Sequence, residues 1–288
     1  MLQTYNYINF VHDNPEKIVL KQLFSYQHPE GISQNAELSI GLGKRLFSYI
    51  VMDTEKRIPV ALSFFEVEEW GEQNLALFLN SCSKLGPFST VQVFFDSANQ
   101  TLIPIPQYEK EVLQQQHQST TPTQRNTIFL TESYADWQFY LGYSIPSMVL
   151  QTVKSIFPSC GYKHVLKPFL VELPTQSAEG TLCVDVTVQQ INIALFRGQQ
   201  LLFCGSINYS NEFDALYYLL KICREYSLKT TDIQLQLSGL IDTHSKLYAE
   251  LNSYFMHIHF RVANKDCAPV DFPPHYFTLL TNNLRCVS

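Results

Sequence analysis

Residues 181–209 read TLCVDVTVQQINIALFRGQQLLFCGSINY. Leu182 to Val188 is an apolar strand, and Gln189-Gln190 allows a tight turn. Ile191 to Phe196 is a second strand, Arg197-Gly198-Gln199 turns the chain again, and Gln200 to Ile207 is a third. Connections this short join only antiparallel neighbours, so the stretch predicts a three-stranded meander. A helix is expected next, from Glu212 to Tyr226, with Asn211 as N-cap and Phe213, Leu216, Leu220 and Cys223 as its apolar face. Ile233 to Leu237 then reads as a buried strand ending in Ser238-Gly239, followed by a helix (Thr243 to Asn252) and a closing strand (Tyr254 to Phe260).

The first half begins in the same way. Residues 37–68 read ELSIGLGKRLFSYIVMDTEKRIPVALSFFEVE. Leu38 to Ile40, Leu46 to Met52 and Pro59 to Val67 form the strands of a second meander. It turns at Gly41-Leu42-Gly43 and at the charged run Asp53 to Arg57. Runs such as Val60-Ala61-Leu62 do not alternate, which is the pattern of strands covered on both faces. A helix from Glu72 to Leu85 follows, stopped by Gly86-Pro87. Val91 to Phe95 and Thr101 to Ile105 read as a hairpin, and Gln107 to Gln118 as a polar helix. Thr127 to Leu130 and Trp137 to Leu141 read as two strands, and Ser147 to Phe157 as a helix with Pro146 at its first turn. The order strand, strand, strand, helix therefore occurs twice, starting near Leu38 and Leu182, half the chain length apart. The polar, turn-rich stretch Pro174 to Gly180 sets the expected boundary, with one domain over 1–176 and the other over 177–288.

Composition excludes several classes of function. With 45% hydrophobic residues in 288, the chain is globular and long enough for two cores. A formal net charge of -6 argues against binding nucleic acid through bulk electrostatics. No signal-peptide pattern and no run of membrane-spanning length is present. Seven Cys without a CxxC pair suggest scattered thiols in a reducing compartment, hence a cytoplasmic location.

Two tandem meanders, each followed by helix and strand, resemble the actin-like ATPase superfamily, an α/β fold of the ribonuclease H-like type. Cys183 to Thr187, Arg197-Gly198, and Phe203 to Tyr209 before a helix look like the second phosphate segment of PilM-like pilus-assembly proteins. Ile233 to Gly239 looks like their adenosine segment. As a whole the chain resembles a bacterial family of unknown function assigned to this fold. The resemblance implies two hairpin turns that face each other across an interdomain cleft. In such sites each turn normally carries Asp-x-Gly, with Asp holding the waters of Mg²⁺ and Gly letting backbone N–H groups reach phosphate.

Aligned this way, Gly41 stands where the first Asp belongs. Asp185 remains in the second turn, but Thr187 replaces its Gly, and the adenosine loop is Ser238-Gly239 where Gly-Gly is usual. The candidate nucleotide-binding residues are thus Gly41, Gly43, Lys44, Asp185, Thr187, Ser238 and Gly239. No catalytic residue and no metal-ligand set is assigned, and the expected cofactor is none, or ATP/Mg bound weakly. Gly41 to Lys44 is neither a Walker loop nor a dinucleotide fingerprint, because the flanking Gly and Ser/Thr are missing. His257 and His259 share a strand face, and with His244 could hold a metal, but no carboxylate or Cys stands at ligand spacing. Cys160 with His164 matches no nucleophile–base signature.

The leading expectation is a non-catalytic binding or assembly module with an unidentified protein partner or self-association. The alternative is a Mg-dependent ATPase or small-molecule kinase whose site is rearranged around Asp185.

Overall fold

A computed structural model describes residues 20–29, 31–32, 35–68, 71–120, 126–171, 173, 177–262 and 272–283. The chain divides into two compact units, one up to Val165 and one from Leu166 onward.

In the first unit β1 (Leu20–Gln27), β2 (Ala36–Gly43), β3 (Leu46–Asp53) and β4 (Ile58–Val67) precede α1 (Glu72–Ser83). Then come β5 (Thr90–Asp96), β6 (Gln100–Pro104), α2 (Lys110–Thr120), β7 (Thr127–Tyr134), β8 (Phe139–Pro146), α3 (Ser147–Ile156) and β9 (Gly161–His164). The main sheet runs β1-β4-β3-β2-β5-β9, with β2 antiparallel to β3 and parallel to β5. Leu75, Phe78, Leu79 and Cys82 of α1 are buried as their helical spacing requires, and the Phe78 ring lies 5.1 Å from that of Phe47 on β3. The expected hairpin of Val91–Phe95 with Thr101–Ile105 does not form. β5 lies between β2 and β9, both parallel to it, while β6 pairs with β8 in a separate three-stranded sheet, β6-β8-β7. A strand with parallel neighbours on both sides has no backbone groups left for a hairpin partner.

A chain of polar groups links that small sheet to the end of β9. Glu132 on β7 accepts from Tyr143 Oη at 2.7 Å, Tyr134 Oη at 3.3 Å and the His164 backbone N–H at 2.6 Å. His164, fully buried, bonds through Nε2 to the Ser97 carbonyl at 2.9 Å. His117 is held between Thr101 and Ser144 at 3.1 and 2.6 Å.

Burial pushes His164 down from its ordinary 6.5 to about 4. A histidine depressed in the fold contributes stability above its unfolded pKa and loses it as pH falls toward the folded one, because the unfolded chain takes up the proton first. His164 should therefore cost about 3 kcal/mol of stability between pH 6.5 and pH 4. Urea unfolding across that range should show the loss in the wild type, with a shallower slope in His164→Gln, whose amide still donates to Ser97.

The second unit contains α4 (Leu166–Phe169), β10 (Thr181–Val186), β11 (Gln190–Arg197), β12 (Gln200–Asn208) and α5 (Glu212–Glu225). β13 (Gln234–Gly239), α6 (Lys246–Asn252), β14 (His257–Phe260) and α7 (Thr278–Asn283) follow. Its sheet runs β12-β11-β10-β13-β14, the same order as β4-β3-β2-β5-β9 in the first unit. Its core gathers Leu182, Val184, Ile191, Ile193, Leu216, Leu219, Leu235 and Leu237. The Asn211 side chain caps α5 by accepting from the N–H groups of Phe213 and Asp214, both at 3.0 Å. The face of α5 differs from expectation. Ala215, Leu216, Leu219, Ile222 and Cys223 are buried, whereas Phe213 is 59% exposed. The buried stripe is set by residues 3, 4 and 7 positions apart starting from Ala215, and Phe213 lies outside it.

Candidate functional site

The two hairpin turns can be compared by register. In β2–β3 the last pair before the turn is Leu42 with Phe47; in β10–β11 it is Val186 with Ile191. Both turns therefore enclose the same number of residues. Counting back one position, Gly41 pairs with Ser48 and Phe94, and Asp185 pairs with Asn192 and Ser238. Gly41 thus occupies the register of Asp185, and the first unit carries no carboxylate there.

Gly41, Gly43 and Lys44 lie at the C-terminal end of β2 in the first unit, with Lys44 exposed. Neither glycine adopts a positive φ. A Cβ at Gly41 would meet Ser48 Oγ at 2.5 Å, so this glycine makes room for the serine across the strand pair. Asp185, Thr187, Ser238 and Gly239 come together in the second unit, where the parallel strands β10 and β13 end side by side. Gly239 alone among the candidate glycines is left-handed, with φ +80°.

The polar groups of the second turn are turned inward. The Thr187 backbone N–H and Oγ1 both donate to the Gln190 carbonyl, each at 2.9 Å, and Tyr209 Oη donates to the Thr187 carbonyl at 2.7 Å. Thr187 therefore has no free donor for a phosphate oxygen.

Asp185 is 1% exposed and its Oδ1 accepts from Ser238 Oγ at 2.8 Å. Ser238 Oγ in turn accepts from Arg261 Nη2 at 3.4 Å. Arg261, just beyond β14, is buried; its Nη1 donates to the Phe169 carbonyl at 3.2 Å, and its guanidinium lies 5.0 Å from the Phe169 ring centre. Opposite Asp185, Asn192 Oδ1 accepts from Ser206 Oγ at 2.5 Å. Burial raises the Asp185 carboxyl from 3.8 to about 6, against smaller opposing effects of Ser238, Arg261 and Asn192. Sequence reading did not pick out Arg261, Asn192 or Ser206; the available signal was a polar residue inside or beside an apolar strand.

These residues do not fit a magnesium site. Mg²⁺ keeps several waters and is held by carboxylates in near-octahedral order. Here the single carboxylate is enclosed, bonded to a hydroxyl and linked to a guanidinium. Among the described residues no three His, Cys, Asp or Glu side chains gather as a ligand set. His257 and His259 share the exposed face of β14, as their spacing requires. Among the described residues five cysteines are free thiols, and burial raises Cys183 and Cys223 to about 11, so neither is an activated nucleophile.

Two units that share a five-strand order, each containing an antiparallel three-stranded meander, define an α/β protein of the actin-like ATPase fold. The chain belongs to the family described as "Protein of unknown function (DUF3822)", whose profile matches residues 5–258. Among solved structures it is similar to a protein of Bacteroides thetaiotaomicron with actin-like ATPase fold and unknown function. The identity is 18%, with 80% of this chain and 91% of that chain covered and a TM-score of 0.71. It is also similar to a chain of the PilM-PilN type IV pilus biogenesis complex, at 12% identity over 88% and 98% of the two chains, with a TM-score of 0.56. No curated protein matches it.

Proposed function

We propose that this protein is a non-catalytic binding or assembly module built on an actin-like frame whose nucleotide site has degenerated. The observation that carries the reading is the condition of Asp185. The one retained metal-anchoring carboxylate is buried and bonded to Ser238, and its counterpart position is Gly41. Metal-assisted phosphoryl transfer needs anchored cations and donors aimed at phosphate, and loss of one such element costs several kcal/mol of transition-state stabilisation. Here the Thr187 donors are spent on Gln190.

Association with a protein partner or with itself is the remaining use of the frame. A similar fold in the PilM-PilN complex supports that reading. Among the described residues no helix is long and apolar enough to cross a membrane. The free thiols support a cytoplasmic setting.

A second reading, a Mg-dependent ATPase or kinase, is favoured by the retention of Asp185 beside a left-handed Gly239. Calorimetric titration with ATP and ADP, with and without Mg²⁺, separates the two. The expected result is no Mg²⁺-dependent binding at millimolar nucleotide and no phosphate release. Mg²⁺-dependent binding that disappears in Asp185→Ala, accompanied by turnover, would replace the first reading by the second. Sedimentation over a hundredfold concentration range tests self-association independently.

A further inference from the structure

The mismatch between this site and a metal has a specific cause. Ser238 Oγ offers one proton and its lone pairs. It gives the proton to Asp185 Oδ1 at 2.8 Å and takes one from Arg261 Nη2 at 3.4 Å, so the order guanidinium, hydroxyl, carboxylate is fixed in one direction. All three side chains are buried. The cation is held from several sides. Nη1 donates to the Phe169 carbonyl, the guanidinium faces the Phe169 ring, and the Arg261 carbonyl accepts from Thr278 Oγ1 at 2.8 Å. Two further buried nitrogens, Arg261 Nε and Asn192 Nδ2, have no partner among the described residues. Both are donors, whereas a divalent cation requires acceptors.

We propose that Arg261 is the resident cation of this site: its guanidinium, acting through Ser238, takes the place of a divalent metal as the counter-charge of Asp185 and closes the site to metal. This rests on the degenerate-site reading but is separable from it. Turnover would sink that reading while leaving the Asp185–Arg261 coupling intact, and absence of coupling would sink this proposal while leaving the module non-catalytic.

A buried pair is recognised by what happens when one partner is removed. Taking away one charge strands the other, and taking away both does not. Arg261→Met, Asp185→Asn and the double variant should therefore be compared by thermal unfolding. The expected result is that the fall in midpoint caused by Arg261→Met is at least halved in the Asp185→Asn background. A single Arg261→Met variant that fails to fold beside a double variant that folds is the same result in stronger form. An equal fall in both backgrounds overturns the proposal. A second measurement uses the wild-type chain and Asp185→Asn with Mn²⁺ alone, followed by electron paramagnetic resonance. No Asp185-dependent binding of Mn²⁺ at millimolar concentration is expected, and a wild-type Mn²⁺ site that Asp185→Asn abolishes overturns the proposal whatever the variants do.

Discussion

Gly239→Ala should destabilise the second unit by about 4 kcal/mol, near the upper end of what single substitutions do. Two effects add. Gly239 has φ +80°, and an alanine held in the left-handed region costs roughly 1–2 kcal/mol. The larger effect is steric. A Cβ at Gly239 would lie 2.2 Å from the Val186 carbonyl oxygen and 2.7 Å from its nitrogen. Both are backbone atoms of β10, the central strand of the sheet, and overpacking of this kind typically costs about 1–3 kcal/mol. The Leu240 N–H also bonds to that Val186 carbonyl, at 2.7 Å, so displacing it breaks the contact that ties the loop down. Gly198 is the internal control. It has φ +58° but nothing within 4 Å of its ideal Cβ, so Gly198→Ala should cost only the conformational part, about 1 kcal/mol. Urea midpoints of the two variants measure the difference, and equal losses would contradict the steric account. A large loss at Gly239 gives this left-handed glycine a structural role: the close approach of β13 to β10 requires it.

The meanders were legible because their turns are local. Asp53 to Arg57 and Arg197 to Gln199 are short polar breaks between apolar runs, and such breaks leave an antiparallel return as the only connection. The Gly41–Asp185 equivalence followed from aligning the strand end at Ile40-Gly41-Leu42-Gly43; that the two turns enclose equal numbers of residues is seen only in the strand register. Parallel pairing was less visible. β9 has only the four residues Gly161–His164 and owes its strand state to β5, which is distant in sequence. β1 (Leu20–Gln27) was missed because its burial is partial and shows no clean alternation. At the site, Asp185 announced itself as a charge within an apolar strand. Arg261 did not, because its proximity to Ser238 follows from β14 lying parallel to β13, a fact of tertiary pairing. The closure of the Thr187 turn onto Gln190 depends on side-chain direction, which residue types alone do not specify.

The polar link in the first unit provides the second large effect. Glu132→Ala should lower stability by about 4 kcal/mol at neutral pH, because it leaves several donors without an acceptor at once. Tyr134 and Tyr143 are buried, and the His164 N–H sits at the end of a strand, so water cannot readily replace the carboxylate. Burial holds the Glu132 carboxyl above its ordinary range, opposed by these same donors. The two short bonds, from Tyr143 Oη and the His164 N–H, converge on Oε1, while Tyr134 takes Oε2. Glu132→Gln keeps a carbonyl oxygen at the Oε1 position and should therefore cost no more than about 1 kcal/mol, although it removes the charge. That ordering distinguishes hydrogen-bond satisfaction from charge as the source of the stability: a charge-based link would make the two variants equally damaging. Native-state hydrogen exchange at the His164 amide gives a local readout. Its protection should fall sharply in Glu132→Ala and survive in Glu132→Gln, since only the alanine variant frees that N–H from the small sheet that β7 carries.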